Sequence, residues 1–565
     1  MTSRLHKWLP ATYAAVPLLV VAFVLPSALR PPPDSANQGS AYSPDAPPDK
    51  HADAIIRSVQ QAGSATAGNP GKPQPTTPAT PPAALVGPRA SDPPRGSRAG
   101  CYPGTPPVQL ESVYSVPCQP AFAGDNGGAT GTGVTRTDIT IVIMDRNDYM
   151  PEGPIDDSTA TGNDSIRTYN DMRKYLNVHS EFYGRQLRFF SAQERTSTNP
   201  TDQRADAVNA VEKFHPLAVA AGGWTAELNE LSKRKVVNFN YAGVSNAFLR
   251  KQAPFSWEAV AGEDTARIGG EWVCKQLKGR PPIAGVSTGD TLYDPKKPRV
   301  FGLVSISDPD LEGDAHPIER DQLSTCGITP AVDAETGIAD ANGAAAVLVK
   351  MKNAGVTSVI FHHDLADLLL FMQAADSIGY KPEWIADGIG GMDSSPTFGR
   401  AYSRTQRSHL FGLTLLDIPR DPRLSECFRA IRSVDPGYTP TAQICHAMWE
   451  PLVHLAGAIQ ENGPRLNSVS LAAAIPRLPH RDPDPKRWWA MSGGYGTPGK
   501  FSFADSASVW WWSDDVTDPD GQPGGYLYAD CGHRYKLGTF PSRAPHIYQQ
   551  AHTASGGAFD QCREA

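Results

Sequence analysis

The sequence predicts an α/β protein with two lobes, each built on a parallel central sheet. Apolar runs typical of buried strands alternate with longer amphipathic stretches typical of helices from about residue 136 onward. This alternation predicts parallel strands joined by right-handed helical crossovers. One run of strands ends near Tyr241 and a second begins near Val300, so we expect two sheets rather than one very wide sheet.

The elements of the two lobes follow the same rhythm of strand and helix. In the first run we expect strands at 138–144, 184–190, 217–221 and 236–240, and helices at 165–176, 202–214 and 226–234. In the second run we expect strands at 300–306, 356–361 and 383–386, and helices at 264–277, 317–323, 343–353 and 365–378. Each of these strands therefore leads into a loop at its carboxyl end.

These loops are the candidate ligand-binding segments. In open parallel sheets, ligands bind beyond the carboxyl ends of the strands. That rule selects five loops: Asp145–Tyr149, Gly222–Thr225, Asn240–Ser245, Ser307–Leu311 and His362–Asp364. If the two lobes face each other, all five line one cleft.

The tripeptide His362-His363-Asp364 has three interpretations: a metal site, a catalytic base, or one wall of a binding cleft. Adjacent histidines at a strand end point in different directions, and a third and fourth ligand are not evident in the sequence. We therefore interpret the tripeptide as a cleft wall. Asp364 is equally well placed to cap the helix that begins at Leu365.

The amino-terminal part of the 565-residue chain indicates export. Arg4, His6 and Lys7 precede an apolar stretch over residues 8–29, as in a signal peptide or an uncleaved membrane anchor, and residues 1–30 fit both. Residues 31–100 are rich in Pro, Ala, Ser and Thr, which predicts a disordered linker. We expect the folded part to be extracellular or on the cell surface.

The cysteines agree with an oxidising compartment. The chain has eight, none in a C-x-x-C pair, and an even number in an exported chain favours disulfides. Sequential neighbours are the expected partners: Cys101 with Cys118, Cys274 with Cys326, Cys427 with Cys445, and Cys531 with Cys562. Residues 101–135 would form a cysteine-bracketed lead before the first lobe.

Several other motifs do not have the context that their chemistry needs. The G-x-S-x-G match at 285–289 lies in an irregular loop rather than between a strand and a helix. The glycine-rich stretch 127–133 precedes a strand and lacks a Lys-Ser/Thr pair. A net charge of −7 without a basic stripe argues against nucleic acid. We predict no catalytic residue, no metal site, no cofactor and no nucleic-acid partner.

Five longer stretches together resemble a known family. IVIMD, YLNVHSEFYGRQLRFF and DQRADAVNAVEKFHPLAVAAGGWTAELNELSKRKVVNFN are similar to the first lobe of type I periplasmic substrate-binding proteins of ABC transporters, of the branched-chain amino-acid-binding kind. RVFGLVSISDPDLEGDAH and KMKNAGVTSVIFHHDLADLLLFMQAADSIGYKPEWIADG are similar to the second lobe. The resemblance covers roughly residues 136–480.

The resemblance implies the type I periplasmic-binding-protein fold, with two Rossmann-like lobes joined by a three-strand hinge. It places residues 136–256 and 413–478 in lobe one, and 257–412 and 479–540 in lobe two. Residues 541–565 would form a carboxyl-terminal tail tied by a cysteine.

The resemblance also implies a protein without enzymatic activity that closes on a small polar solute, amino-acid-like or related, and delivers it to an ABC permease. Backbone N–H groups at 223–225 would take an anionic group, aromatic residues would form walls, and an aspartate would receive a cation. The expected contact set is Asp145, Tyr149, Gly223, Trp224, Thr225, Asn240, Tyr241, Asp310, His362, His363, Asp364 and Asp387.

Two departures from the family pattern leave an alternative open. The loop AGGWT replaces the usual Ser- or Thr-rich loop, and the usual lipoprotein cysteine is absent while a long spacer is present. The alternative is a membrane-anchored extracytoplasmic sensor or interaction module that uses the fold without transport. The membrane would then be a partner through the uncleaved amino terminus.

Overall fold

The structure is a computed structural model. It describes residues 100–145, 150–193, 195, 199–220, 223–284, 294, 296–311, 313–386, 392–393, 396–420, 422–518, 522–548 and 553–554, all of which belong to the compact unit Lys50–Ala565. The predictions about residues 1–30 and 31–99 lie outside this range, as do those about Tyr149, Asp387, Cys562 and the motif at 285–289.

The first sheet has six strands in the order β2-β3-β1-β4-β5-β6. The strands are β1 Asp138–Asp145, β2 Gly153–Ile155, β3 Gln186–Gln193, β4 Ala218–Ala220, β5 Val237–Val244 and β6 Ser256–Ala261. Its helices are α1 Asp164–His179, α2 Pro200–Phe214, α3 Thr225–Lys233 and α4 Asn246–Gln252. All neighbouring strands are parallel except β2, which pairs antiparallel with β3.

The second sheet follows the order β15-β13-β12-β11-β10-β9-β7-β8, with β14 paired to β12. Its strands are β7 Phe301–Ile306, β8 Val332–Thr336, β9 Ser358–His362, β10 Glu383–Ala386, β11 Leu410–Thr414, β12 Ser506–Thr517, β13 Pro523–Ala529, β14 Tyr535–Lys536 and β15 Thr553–Ala554. β7 to β11 are mutually parallel, and β12 begins the antiparallel part.

Further α-helices in the described part of the chain cover the sheets and connect them. They are α5 Gly262–Trp272, which continues as a π-helical turn Val273–Leu277, α6 Ala315–Thr325, α7 Ala341–Asn353, α8 Leu365–Ser377, α9 Pro396–Ala401, α10 Arg404–Arg407, α11 Glu426–Val434, α12 Ala442–Asn462 and α13 Ser468–Ala474. The helix predicted over 264–277 is thus an α-helix followed by a π-helical turn.

These strand orders confirm the predicted α/β fold with two predominantly parallel sheets. The expectation that the first run of strands ends near Tyr241 is wrong, because β5 continues to Val244 and β6 follows it. The first sheet therefore reaches Ala261, five residues beyond residue 256. The division of the chain into lobe segments stays a prediction.

The chain passes between the two sheets three times. The first crossing runs from β6 to α5, the second from β11 to α11, and the third from α13 to β12. In the third crossing, residues 501–504 bond to β6: Glu258 N–H donates to the Phe501 carbonyl at 2.9 Å, and Phe503 N–H donates to the Glu258 carbonyl at 3.0 Å. The same segment continues into β12, so one extended stretch of backbone belongs to both sheets in turn.

Disulfides tie these elements together. Cys101–Cys118 closes the lead, Cys274–Cys326 joins the end of α5 to the end of α6, and Cys427–Cys445 joins α11 to α12. Cys531 is also disulfide-bonded. No helix among the described residues is long and apolar enough to cross a membrane.

Candidate ligand-binding cleft between the two sheets

The carboxyl edges of the two sheets meet directly. Ser245 follows β5 of the first sheet, and Asp310 follows β7 of the second. The backbone N–H of Ser245 donates to the carbonyl of Asp310 at 3.2 Å, and the Ser245 hydroxyl donates to the same carbonyl at 3.1 Å. Both loops were selected from the sequence as ligand-binding candidates, and the structure brings them together.

Gly313 permits this close approach. Its φ is +56°, and a Cβ at this position would lie 2.6 Å from the Cβ of Ser245 and 2.7 Å from Oε1 of Glu263. Both distances are far inside van der Waals contact. A side chain at residue 313 would therefore push the second-sheet loop away from the first sheet.

Glu263 makes the first-sheet side of this contact rigid. It is buried in the first turn of α5, and its carboxylate accepts the N–H groups of Asn246 at 2.6 Å and Ala247 at 2.9 Å. A carboxylate at the start of α4 is stabilised by the unpaired N–H groups and the helix dipole there. Lys251 at the end of α4 adds an ion pair to the Asp310 carboxylate at 3.3 Å.

The loop Gly223-Trp224-Thr225 leads into α3 at the same edge of the first sheet. Trp224 occupies the position before the helix and provides no side-chain cap, whereas Asn163 and Asn199 cap α1 and α2 with their side chains. Trp224 and Thr225 are half-buried. An aromatic side chain thus stands at the amino terminus of α3, and the contact of the backbone N–H groups there with an anionic ligand group stays a prediction.

Asn240 is a buried polar residue in β5. It is 3% exposed, and its side-chain N–H donates to Oδ1 of Asn238 at 3.2 Å. Its own Oδ1 has no hydrogen-bond partner among the described residues. An unpaired buried amide oxygen costs about 1–3 kcal/mol, so this oxygen is an acceptor suited to a donor group. Asp145 ends β1 and Tyr241 lies in β5, but their side chains are outside the described part.

His362 and His363 are fully buried and engaged within the second lobe. His362 Nδ1 lies 3.4 Å from Glu319 of α6. His363 Nδ1 lies 2.9 Å from Asp367 of α8, and its Nε2 lies 3.1 Å from the Thr336 hydroxyl. Their predicted contact with a ligand stays a prediction. Groups of three or more His, Cys, Asp and Glu arranged to hold a metal ion were not found in the described ranges.

Asp364 caps α8. Its Oδ1 accepts the N–H of Ala366 at 2.8 Å, with extended backbone at φ −73° and ψ 152°. The capping role considered for this residue from the sequence is therefore present. A carboxylate used in this way is already stabilised by the helix amino terminus.

Asp393 is a buried acid at the second-sheet edge that sequence reasoning did not select. It lies between β10 and α9, is 0% exposed, and accepts the Tyr528 hydroxyl at 3.2 Å. Burial raises its pKa to about 7. The side chain of Thr414, at the end of β11, is a second hydrogen-bonding neighbour of this carboxyl. The sequence signal, GGMDSS after a strand, does not distinguish it from an ordinary turn aspartate.

The hinge contains a polar cluster formed by Tyr114, Asp417 and the backbone of Met491. The Tyr114 hydroxyl donates to Oδ1 of Asp417 in the second crossing. Met491 N–H, in the third crossing, donates to the Tyr114 hydroxyl at 2.8 Å and to Oδ1 of Asp417 at 2.7 Å. Burial, with the Asp417 charge, raises the pKa of Tyr114 well above its usual value. One tyrosine from the lead therefore joins two of the three crossings.

Comparison with known proteins gives similarity at the level of structure. No family model matches the chain, and no curated protein matches it. The chain is similar to solved substrate-binding proteins of ABC transporters. A possible leucine/isoleucine/valine-binding protein from Rhodopirellula baltica SH 1 has 12% identity and a TM-score of 0.47, covering 69% of this chain and 96% of its own.

Two further solved structures are of binding proteins for other kinds of ligand. A fatty acid ABC transporter substrate-binding protein from Thermomonospora curvata has 13% identity and a TM-score of 0.49, covering 72% of this chain and 95% of its own. A solute binding protein of an ABC transporter from Rhodopseudomonas palustris BisB5, in complex with 3,4-dihydroxy benzoic acid, has 12% identity and a TM-score of 0.48, covering 71% and 98%. The fatty acid and the 3,4-dihydroxy benzoic acid are named for those two proteins, not for this chain.

Proposed function

We propose that this protein is an exported solute-binding protein that captures a small polar ligand between its two sheets. The observation that carries the proposal is the direct contact of the two carboxyl edges at Ser245 and Asp310. Ligands of parallel sheets bind beyond these edges. Two such edges that face each other across three crossings form a site that can enclose a ligand from both sides.

The chemistry of the described cleft residues favours a ligand with both an anionic group and a hydrogen-bond donor. The amino terminus of α3, where Trp224 gives no side-chain cap, has a helix dipole that favours an anion. Asn240 Oδ1 and the Asp310 carboxylate are acceptors for a donor group. An amino acid or a related zwitterion carries both groups. We propose Trp224, Thr225, Asn240 and Asp310 as contacts, together with Asp145, Tyr149, Gly223, Tyr241 and Asp387.

The proposed partner is an ABC permease, and the proposed location is outside the cytoplasmic membrane. The disulfides among the described cysteines support an oxidising compartment. The alternative, a membrane-anchored sensor or interaction module, differs in what the closed form contacts. A transport protein would bind a permease when loaded, whereas a sensor would transmit closure to a partner without releasing its ligand across a membrane.

Ligand screening of the purified full chain tests the proposal. Thermal-shift measurements against amino acids, amides, aromatic acids, sugars and short peptides should find at least one class that raises Tm in a saturable way. Calorimetry with that ligand should give one site per chain, and scattering should show compaction on binding. If every class leaves Tm unchanged while the variants described in the Discussion fold normally, the solute-binding proposal is wrong.

A further inference from the structure

A pocket with two arginines in its lining lies at the hinge, apart from the carboxyl edges of the sheets. Its volume is about 190 Å³. The lining residues are Val113, His480, Arg481, Asp482, Asp484, Arg487, Ala490 and Met491. Val113 belongs to the lead and Met491 to the third crossing, so the pocket lies where these two segments meet.

The two carboxylates of the pocket make their short contacts with groups other than its guanidinium groups. Asp482 accepts a hydrogen bond from Lys536 at 2.6 Å, outside the pocket lining. Asp484 accepts the N–H of Lys486 at 2.9 Å as a helix cap, and its other oxygen is 3.9 Å from Nε of Arg487. Arg487 thus has a loose ion pair with Asp484, and no ion pair between Arg481 and a carboxylate is found in the described part of the chain.

Arg481 is the more constrained of the two. Its Nη2 donates to the carbonyl of Ser115 in the lead. Its Nε is shielded from solvent and has no hydrogen-bond partner among the described residues. Burial, and next the cation of Arg487, lower its pKa. A shielded N–H donor beside a second cation is unfavourable until an acceptor with negative charge joins them.

We propose that this pocket binds a small oxyanion, a phosphate or a carboxylate, between Arg481 and Arg487. The planar guanidinium matches two oxygens of such an anion and forms charge-assisted hydrogen bonds with them. The volume of about 190 Å³ accommodates one phosphate with attendant waters. This site is independent of the proposed solute cleft.

Anion binding here would act on the hinge. The pocket residue Met491 donates its N–H to Asp417 and Tyr114, which joins the second and third crossings. Val113 is held by its N–H bonds to Glu426 of α11 at 3.1 and 3.2 Å. An anion that bridges Arg481 and Arg487 therefore stiffens the segment that must rotate when the lobes separate, and opening becomes slower.

Calorimetric titration of the full chain with inorganic phosphate, and separately with acetate, tests the site at constant ionic strength set with sodium chloride. We expect saturable binding of one anion per chain, weakened about tenfold by Arg487→Gln. Lys486→Gln is the matched control, because Lys486 is the neighbouring cation in the same short helical turn and does not line the pocket. It should change the affinity less than twofold.

Hydrogen exchange and a cleft variant complete the test. Phosphate should slow exchange around Met491 in the wild type and not in Arg487→Gln. Phosphate binding should persist in Trp224→Ala, which separates this site from the cleft. Equal losses in Arg487→Gln and Lys486→Gln, or a phosphate effect that chloride reproduces, would show general salt screening and overturn the proposal. Preference for acetate over phosphate would identify the anion as a carboxylate.

Discussion

The hydroxyl of Ser245 lies 3.1 Å from the carbonyl oxygen of Asp310, and this contact joins the carboxyl edge of one sheet to that of the other. The two residues are 65 positions apart in the chain. The neighbouring ion pair between Lys251 and Asp310 is exposed and contributes little, about 0–1 kcal/mol. The fit of the Gly313 backbone against the side chains of Ser245 and Glu263 therefore limits how closely the edges approach.

Gly313→Ala should hold the two lobes apart. The added Cβ would lie 2.6 Å from Ser245, so the loop must withdraw. Scattering should show a larger radius of gyration, and ligand affinity should fall about tenfold because closure becomes unfavourable. Gly355→Ala is the control, since Gly355 also has positive φ, +70°, but nothing within 4 Å of its Cβ. Equal effects of both changes would mean that backbone strain alone is responsible.

Trp224→Ala should weaken ligand binding without unfolding the protein. Trp224 is half-buried at the start of α3, and loss of an aromatic wall costs about 1–2 kcal/mol, roughly five- to thirtyfold in affinity. Calorimetry with the ligand found by screening measures this loss. Phe214→Ala serves as the control, because Phe214 ends α2, the helix that leads into the amino end of β4. Unchanged affinity in Trp224→Ala would remove this residue from the site.

Asp393 should make stability depend on pH. Its pKa is about 7 in the folded protein and about 3.9 in an unfolded chain. The folded state then holds the proton more tightly, so stability is greatest below about pH 4 and declines as pH rises through about 7, by about 4 kcal/mol at most. Tm should fall between pH 5 and pH 8.

Asp393→Asn should reduce this decline, because an amide does not ionise. Glu426 and Glu450 are also buried, and their pKa values are raised in the same direction. Some decline of Tm with pH is therefore expected in the variant too, and the measurement compares its decline with that of the wild type. The exposed residue Asp515 provides the control as Asp515→Asn. Identical Tm profiles for wild type and Asp393→Asn would show that another group titrates.

Tyr114→Phe should loosen the hinge. The change removes the hydroxyl that joins Asp417 to Met491 while it keeps the ring against Phe503. Hydrogen exchange at 414–418 and 489–493 should accelerate about five- to tenfold, as expected for loss of a buried hydrogen bond. Tyr102→Phe removes a hydroxyl from the same lead, where it meets Tyr175 of α1, and should leave the hinge unchanged.

Reduction of the disulfides should lower Tm. Cys274–Cys326 and Cys427–Cys445 span 52 and 18 residues, which corresponds to about 4 and about 3 kcal/mol of lost loop entropy in the unfolded chain. Melting with and without reductant, with alkylation to trap free thiols, measures the effect. Full alkylation of the native protein without a change in Tm would contradict it.

The sequence predicted most elements because their periodicity is local. β10 was predicted with the observed bounds, Glu383–Ala386, and α8 to within one residue, Leu365–Ser377. β6 was missed because Glu258 interrupts its apolar pattern. That strand lies against the third crossing, which covers its polar groups. The second-sheet edge strand β8, Val332–Thr336, alternates polar and apolar residues and gave too weak a signal.

Only those residues of the candidate site that lie at the end of a strand could be selected from the sequence. Trp224 and Asn240 could be selected because parallel strands direct their carboxyl ends to one edge. Gly313 could not, because its importance depends on a contact with Ser245 across the lobes. Asp393 could not either, since only the surrounding burial distinguishes it from a turn residue. Contacts that depend on how distant loops meet are invisible to a local pattern.

The hydrogen bonds between Glu258 and residues 501–503 have a consequence for mechanical behaviour. Because β6, which leads into the first crossing, is hydrogen-bonded to the third crossing, these two segments cannot slide past each other without breaking backbone hydrogen bonds. The remaining freedom is torsion of this hydrogen-bonded pair of segments. The second crossing, which carries Asp417, lies apart from the pair and resists that torsion. The protein should therefore open by a twist of one lobe against the other, along a single reproducible path.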